Sequence, residues 1–491
     1  MAAPTYSLTL RGDIGRKLTI EEMDDNFRYL DNGSGGSGPQ GDQGPQGPQG
    51  SGSQGTQGPQ GPQGPGGGGS SSVIGGSTLS IQFNSCGTLD GFGKYDRTQS
   101  NIIFTNATAF STGSYNTFLG FNSGNIGTTS PGSNNTFMGA NSGSQNLYGD
   151  QNTFIGVNSG NANYQGVCNT YVGSGSGYVN TSSGLNTFIG VNSGYCNGGG
   201  RAVFIGGCAG YYNQVHESVF IGTYAGLLNT FGCFNTFIGY ASGCNNTTGY
   251  SNTFIGYDSG CNNLYGGDNT FVGKNSGNNN MGGYSNVFIG SQAGYTNYTG
   301  SQNVFIGVNS GYCNAGSYNT FIGYISGSCN TTGCFNTFIG VQSGCSNING
   351  DNNTFIGAQS GSFNLGSNNT FIGRVSGYSN ITGYSNTFVG KGSGFNSTFG
   401  YSNTFIGKEA GCNNISGLGN TFIGDVSGAT SSVSCAIALG ACARPIFDGD
   451  FAIGSFAFPI STIATSSVSA LPSLFMKVIL NGCSYQIPLH N

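Results

Sequence analysis

The sequence predicts an all-β fibrous protein, a β-solenoid or β-roll of about 19 coils carried behind a collagen-like triple helix and assembled as a parallel homotrimer. Three observations predict it. A repeat of 16 or 17 residues runs through most of the chain, glycine recurs at every third position over residues 38–64, and each repeat unit places two apolar residues side by side in a strand-like segment. Internal repeats take precedence over local propensity, because missing them misreads the whole fold.

The repeat is counted from its aromatic residue, which falls at 118, 137, 154, 171 and so on to 422, and is Phe everywhere except Tyr171. The consensus is Asn-Thr-Phe-Ile-Gly-x-x-Ser-Gly-x-x-Asn-x-x-Gly-x-x, as in Asn252-Thr253-Phe254-Ile255-Gly256. Every unit has glycine two and six positions after the aromatic, for instance Gly239 and Gly243, or Gly256 and Gly260. A unit this short cannot be a helical hairpin, and its glycines oppose helix. It suits one solenoid coil: a short strand, a glycine turn, a second short stretch and a turn back. Coils stacked at strand spacing, about 4.8 Å, would make a rod of roughly 90 Å. Stacking places Asn235, Asn252 and Asn269 in one ladder and Asn246, Asn263 and Asn280 in another, with amides bonding along the axis.

The trimer follows from alternation. Neighbouring strand residues point to opposite faces, so Phe254 and Ile255, like Phe237 and Ile238, cannot both face the interior of one coil. The columns Phe237, Phe254, Phe271, Phe288, Phe305, Phe321, Phe338 and Phe355 and their following aliphatics therefore supply a core ladder and an interchain ladder. Burying each such side chain contributes roughly 1.5–3 kcal/mol, and long apolar patches are seldom left in water. The sequence leaves open which column meets the trimer axis. Phenylalanine is favoured there, since rigid rings stack in layers.

The count of three comes from upstream. Gly38, Gly41, Gly44 and Gly47, then Gly52, Gly55, Gly58, Gly61 and Gly64, hold a period of three across a one-residue slip. Only glycine fits at the crowded axis of three polyproline strands. Before it, Thr19-Ile20-Glu21-Glu22 reads as a capping box, and Ile20, Met23, Phe27 and Leu30 fall on one helical face. That short helix needs a partner for its apolar face, so it is expected to trimerise or attach the chain to a larger assembly. The expected organisation is an attachment segment over 1–35, collagen-like stalk and Gly/Ser hinge over 36–72, a transition β region over 73–115, the solenoid shaft over 116–435, degenerate coils over 436–470 and a β-hairpin tip over 471–491. The hairpin rests on Phe475 to Leu480, Asn481-Gly482 and Cys483 to Ile487, an Asn-Gly turn between strands.

Composition narrows the function classes. Charged residues make up 6% of the chain, with 93 glycines, 35 Phe, 26 Tyr, no Trp and a net charge of −5. Low charge with abundant aromatics opposes disorder, and no basic footprint for nucleic acid exists. No apolar run approaches the roughly 20 residues that span a bilayer, so no membrane insertion is expected. Met1 to Thr5 lacks the layout of a secretory signal, which implies assembly in a cytosol or export by another route. His216 and His490 are too few and too distant for a histidine-based site, and no carboxylate recurs in phase to hold calcium. No enzyme activity, metal or cofactor is expected. Cysteines do keep phase: Cys244, Cys261, Cys345 and Cys412 lie seven after the aromatic, and Cys233 and Cys334 four before it. They read as small buried turn residues in the reduced state, with bridges between coils or between chains as the alternative.

The Phe-Ile-Gly and Ala-Ile-Gly coils resemble the β-roll repeats of trimeric autotransporter adhesin heads. They are still more similar to Asn-Thr-Phe-Ile-Gly repeats of bacteriophage and bacterial fibre proteins. Leu18 to Phe27 resembles the leading segment of phage tail and neck proteins, residues 38–66 their Gly-Pro-Gln stalks, and Val478 to Leu489 their terminal hairpins. The resemblance implies a virion fibre of the tail, neck or head. Its N-terminus would be held by a virion attachment protein, and its shaft or tip would reach host-surface glycans or proteins. Neither an autotransporter membrane anchor nor the self-cleaving chaperone of some phage fibres is read in these residues, so neither is expected. Bacterial surface filaments and, further off, ice-binding solenoids are the alternatives.

Overall fold

A computed structural model describes residues 78–85, 88–96, 101–104, 113–124, 132–454, 474–480 and 483–489. The helix expected around Ile20, Met23, Phe27 and Leu30 and the collagen-like glycines from Gly38 to Gly64 lie outside the described residues.

The described chain is all-β and builds a parallel solenoid of about 20 coils. Each coil contributes one three-residue strand, such as Thr253–Ile255, and the remainder is turn. The second short stretch of each coil is turn rather than strand in the described coils. Glycines at two and six after the aromatic force reversal within a few residues, so only Thr-Phe-Ile stays extended. Pairing is in strict register, with Thr253 beside Thr270, Phe254 beside Phe271 and Ile255 beside Val272. The same register holds where the repeat shortens to 16 residues, as between Phe305 and Phe321, so the missing residue is absorbed in the turns.

Turn chemistry explains the repeat's small residues. The first glycine has φ near +135°, as at Gly256 (+137°), and the second is left-handed, as at Gly260 (+57°). Left-handed backbone is costly for residues with a Cβ. Two further left-handed positions in each coil accept other residues. Four after the aromatic stand Asn158, Asn192, Asn275 and Asn309, and three before it Ser251, Asp268 and Ser285. Asn and Asp tolerate this region; Ile325, Val375 and Val426 occupy it at φ 52–57° and carry local strain.

Both ends of the stack differ from its middle. At the N-terminal end β1 (Thr78–Ser85), β2 (Thr88–Asp96) and β3 (Asn101–Phe104) form an antiparallel meander. The last of these turns parallel onto Thr117–Leu119 and so starts the ladder. Ile103 stands in the aromatic column and is 5% exposed. At the other end Ala438 and Ala452 continue the column beyond Phe422. The C-terminal hairpin pairs Leu474–Leu480 with Cys483–Leu489 antiparallel, Leu480 opposite Cys483.

Candidate functional site

The repeated side chains sort into inward and outward columns. Phe237, Phe254, Phe271, Phe288, Phe305, Phe321, Phe338 and Phe355 are fully buried inside their own coils. The preference for phenylalanine at an interchain axis is thereby corrected: the ring fills the coil it belongs to. The reason is the glycine six residues on. A Cβ on Gly243 would lie 2.5 Å from the Phe237 ring, so only the bare α-carbon leaves room for an aromatic inside so small a coil. Successive rings are 4.7–4.9 Å apart and within 9° of parallel between Phe137 and Phe422. Flat carbon faces touch at roughly 3.5–4.0 Å, so close packing requires rings slipped sideways, the offset arrangement that ring quadrupoles favour.

Most polar residues that share this interior are hydrogen-bonded, the exceptions among the described residues including Asn380 Oδ1 and Ser397 Oγ. The backbone N–H of Asn252 donates to Oδ1 of Asn235 (2.9 Å), and that of Asn269 donates to Oδ1 of Asn252 (3.0 Å). Nδ2 of Asn252 donates to the Gly266 carbonyl at 2.8 Å. In the second ladder Nδ2 of Asn263 donates to Asn246 Oδ1 (2.8 Å) and to the Gly266 carbonyl (2.7 Å). A third column escaped the sequence reading: Ser259 Oγ donates to the Phe271 carbonyl at 3.2 Å, and Ser242 Oγ to that of Phe254 at 3.1 Å. Its signal was available, because Ser or Ala stands five after the aromatic in every unit. Buried amides and hydroxyls that each find a partner in the next coil cost little and align the coils.

The outer face belongs to the residues flanking Phe. Leu119, Ile155, Ile189, Ile255, Ile289 and Ile306 are 36–44% exposed, while Ile238 is half-buried. Two positions further on stand Phe121, Val157, Val191, Tyr240, Tyr257 and Val308, all exposed. Together they make an apolar stripe along the solenoid. Towards the C-terminal end this second column becomes polar, with Arg374, Lys391 and Lys408 in consecutive coils, all exposed. Outward tyrosines also stack, as in Tyr178–Tyr195–Tyr211 at 4.9 and 4.8 Å. Neither the cationic run nor these stacks was anticipated, although phase alone places them together.

Reactive groups are sparse. Nδ1 of exposed His216 accepts the Gly200 N–H at 2.8 Å. No group of three or more metal-ligating side chains occurs among the described residues. Among them, no helix is long and apolar enough to cross a membrane. The described cysteines are half-buried or exposed rather than buried in turns, which corrects the sequence reading; their phases are outward ones. The Tyr171 hydroxyl, alone in the aromatic column, accepts a hydrogen bond from Nδ2 of Asn180, and burial pushes its ionisation well above the usual tyrosine range. No protein-family model, curated protein or solved structure matches this chain.

Proposed function

We propose that this chain is a structural fibre of a virion, three parallel copies of the solenoid packed side by side through their apolar stripes. The observation that carries this reading is the aliphatic column from Leu119 to Ile453, outward and exposed or half-buried in coil after coil. Exposed apolar surface of that extent marks an interaction face. A partner with the same periodicity buries it best, and a second and third copy have that periodicity by construction. The glycine triplets of residues 38–64 supply the number three. The N-terminal segment attaches the fibre to its particle, and the stacked tyrosines offer flat faces to host-surface sugars.

Sedimentation equilibrium of the full chain tests the assembly, with three chains per particle expected and a monodisperse monomer overturning it. Replacing Ile255, Ile289 and Ile306 together by Lys should dissociate the trimer while leaving the far-ultraviolet dichroism of the coils intact. Labelled antibodies viewed on the native source by electron microscopy then separate a fibre on a capsid from an indefinite bacterial filament. One observation favours a second reading: Thr253 and Ile255 flank a buried Phe254 and share one outer face in each coil. A row of hydroxyl and methyl groups, interrupted by Val203, Val219, Val287 and Val304, is what an ice-binding solenoid presents, and absence of thermal hysteresis removes it.

A further inference from the structure

We propose that Cys244 and Cys261 form a disulfide that clamps two adjacent coils within one chain. The two residues hold the same phase, seven after Phe237 and seven after Phe254. Their Sγ atoms are 2.8 Å apart, closer than unbonded sulfurs rest. Their backbones are laddered, since the Asn245 N–H donates to the Cys261 carbonyl at 2.8 Å. In-register strands run about 4.8 Å apart, inside the Cα separation of roughly 4.4–6.8 Å that a disulfide spans. Both side chains are half-buried, so a small oxidant reaches them from solvent.

Chemistry follows thiol–disulfide exchange. One thiolate attacks a small-molecule disulfide such as oxidised glutathione, forming a mixed disulfide and releasing one thiol. The second thiolate attacks the protein sulfur of that mixed disulfide and expels the other thiol. Two S–H bonds are lost, one S–S bond forms in the protein, and the external disulfide is reduced to two thiols.

Other cysteines provide internal comparison. Cys329 and Cys345 lie in consecutive coils but one position out of phase, and their sulfurs sit 3.8 Å from Ser328 Oγ and Ser346 Oγ instead. Cys313 and Cys329 share a phase, eight after the aromatic, without the sulfur contact that joins Cys244 to Cys261.

The test is peptide mapping of the full chain after titration with oxidised glutathione and alkylation under non-reducing conditions. The expected result is joint loss of the alkylatable thiols of Cys244 and Cys261, with two hydrogens lost from the peptide pair that contains them, before any other pair links. In Cys244→Ser, Cys261 should stay alkylatable or carry one glutathione. Serine already fills this phase at Ser144, Ser328 and Ser362, so the variant keeps its fold, checked by circular dichroism. Singly glutathionylated Cys244 and Cys261 in the parent chain, earlier linkage of Cys313 to Cys329, or cross-linking between chains would each overturn the proposal. None of these readouts depends on the number of chains in the fibre.

Discussion

The ring of Phe271 lies 4.7 Å from that of Phe254 and 4.8 Å from that of Phe288, tilted 4° from each. Each ring is thus clamped by the coils before and after, and no other apolar side chain of its size lies within the coil. Loss of one ring therefore leaves a void bounded by two others. Phe271→Ala should cost about 3–5 kcal/mol, the range for aromatic deletions in a core. In a stack held by nearest neighbours, hydrogen exchange should accelerate around Thr253–Val272 and Val287–Ile289 and much less at distant coils. Uniform acceleration along the solenoid would contradict this view of the core.

The second Asn ladder has one gap. Nine after Phe388 stands Ser397 where its neighbours have Asn380 and Asn414, and Asn380 Oδ1 and Ser397 Oγ are both buried without a partner. Serine is too short to reach the coil before it. Ser397→Asn should restore both the contact to Asn380 Oδ1 and the bond to the Gly400 carbonyl made by the equivalent Asn263 with Gly266. Leaving such groups unpaired costs about 1–3 kcal/mol, so the midpoint of guanidinium unfolding should rise. An unchanged or lowered midpoint would show the gap to be already satisfied.

Two glycine substitutions should part company. At Gly243 an added Cβ meets the Phe237 ring at 2.5 Å in a backbone with φ +57°, so Gly243→Ala should yield insoluble or locally unfolded protein. At Gly282 nothing lies within 4 Å of the added atom, and Gly282→Ala should be neutral or slightly stabilising through the unfolded chain. Limited proteolysis of the two variants side by side reads the difference.

Tyr171 predicts an alkaline sensitivity. Burial raises the ionisation of its phenol above that of the unfolded chain, where tyrosine ionises near pH 10. Stability from this group is therefore complete below about pH 10 and declines as pH rises, because only the unfolded state releases the proton. Tyr171→Phe should remove up to about 1.4 kcal/mol per pH unit of that decline. Denaturant titrations of both chains between pH 9 and 11 measure it, and identical slopes would refute the assignment.

The strand register was legible in residues alone: Asn252, Phe254 and Gly256 recur at the same phase as Asn269, Phe271 and Gly273. The Asn ladders followed from the same arithmetic. The serine five after the aromatic stands in the consensus, but spacing does not show which carbonyl its hydroxyl reaches, and Arg374, Lys391 and Lys408 occupy a position that varies from coil to coil. The cysteines were misplaced because phase does not reveal which way a turn residue points.

By itself the sequence determined that coils exist, where each begins and which residues stack, since a repeated unit can only be laid over itself in phase. It also determined that Phe and Ile lie on opposite faces, as extended backbone must place neighbours. Only the tertiary structure decided which face closes inward. That choice rests on the turns, whose left-handed glycines curl the chain toward the phenylalanine and bring the bare α-carbon of Gly260 against the ring of Phe254, leaving the aliphatic column outside.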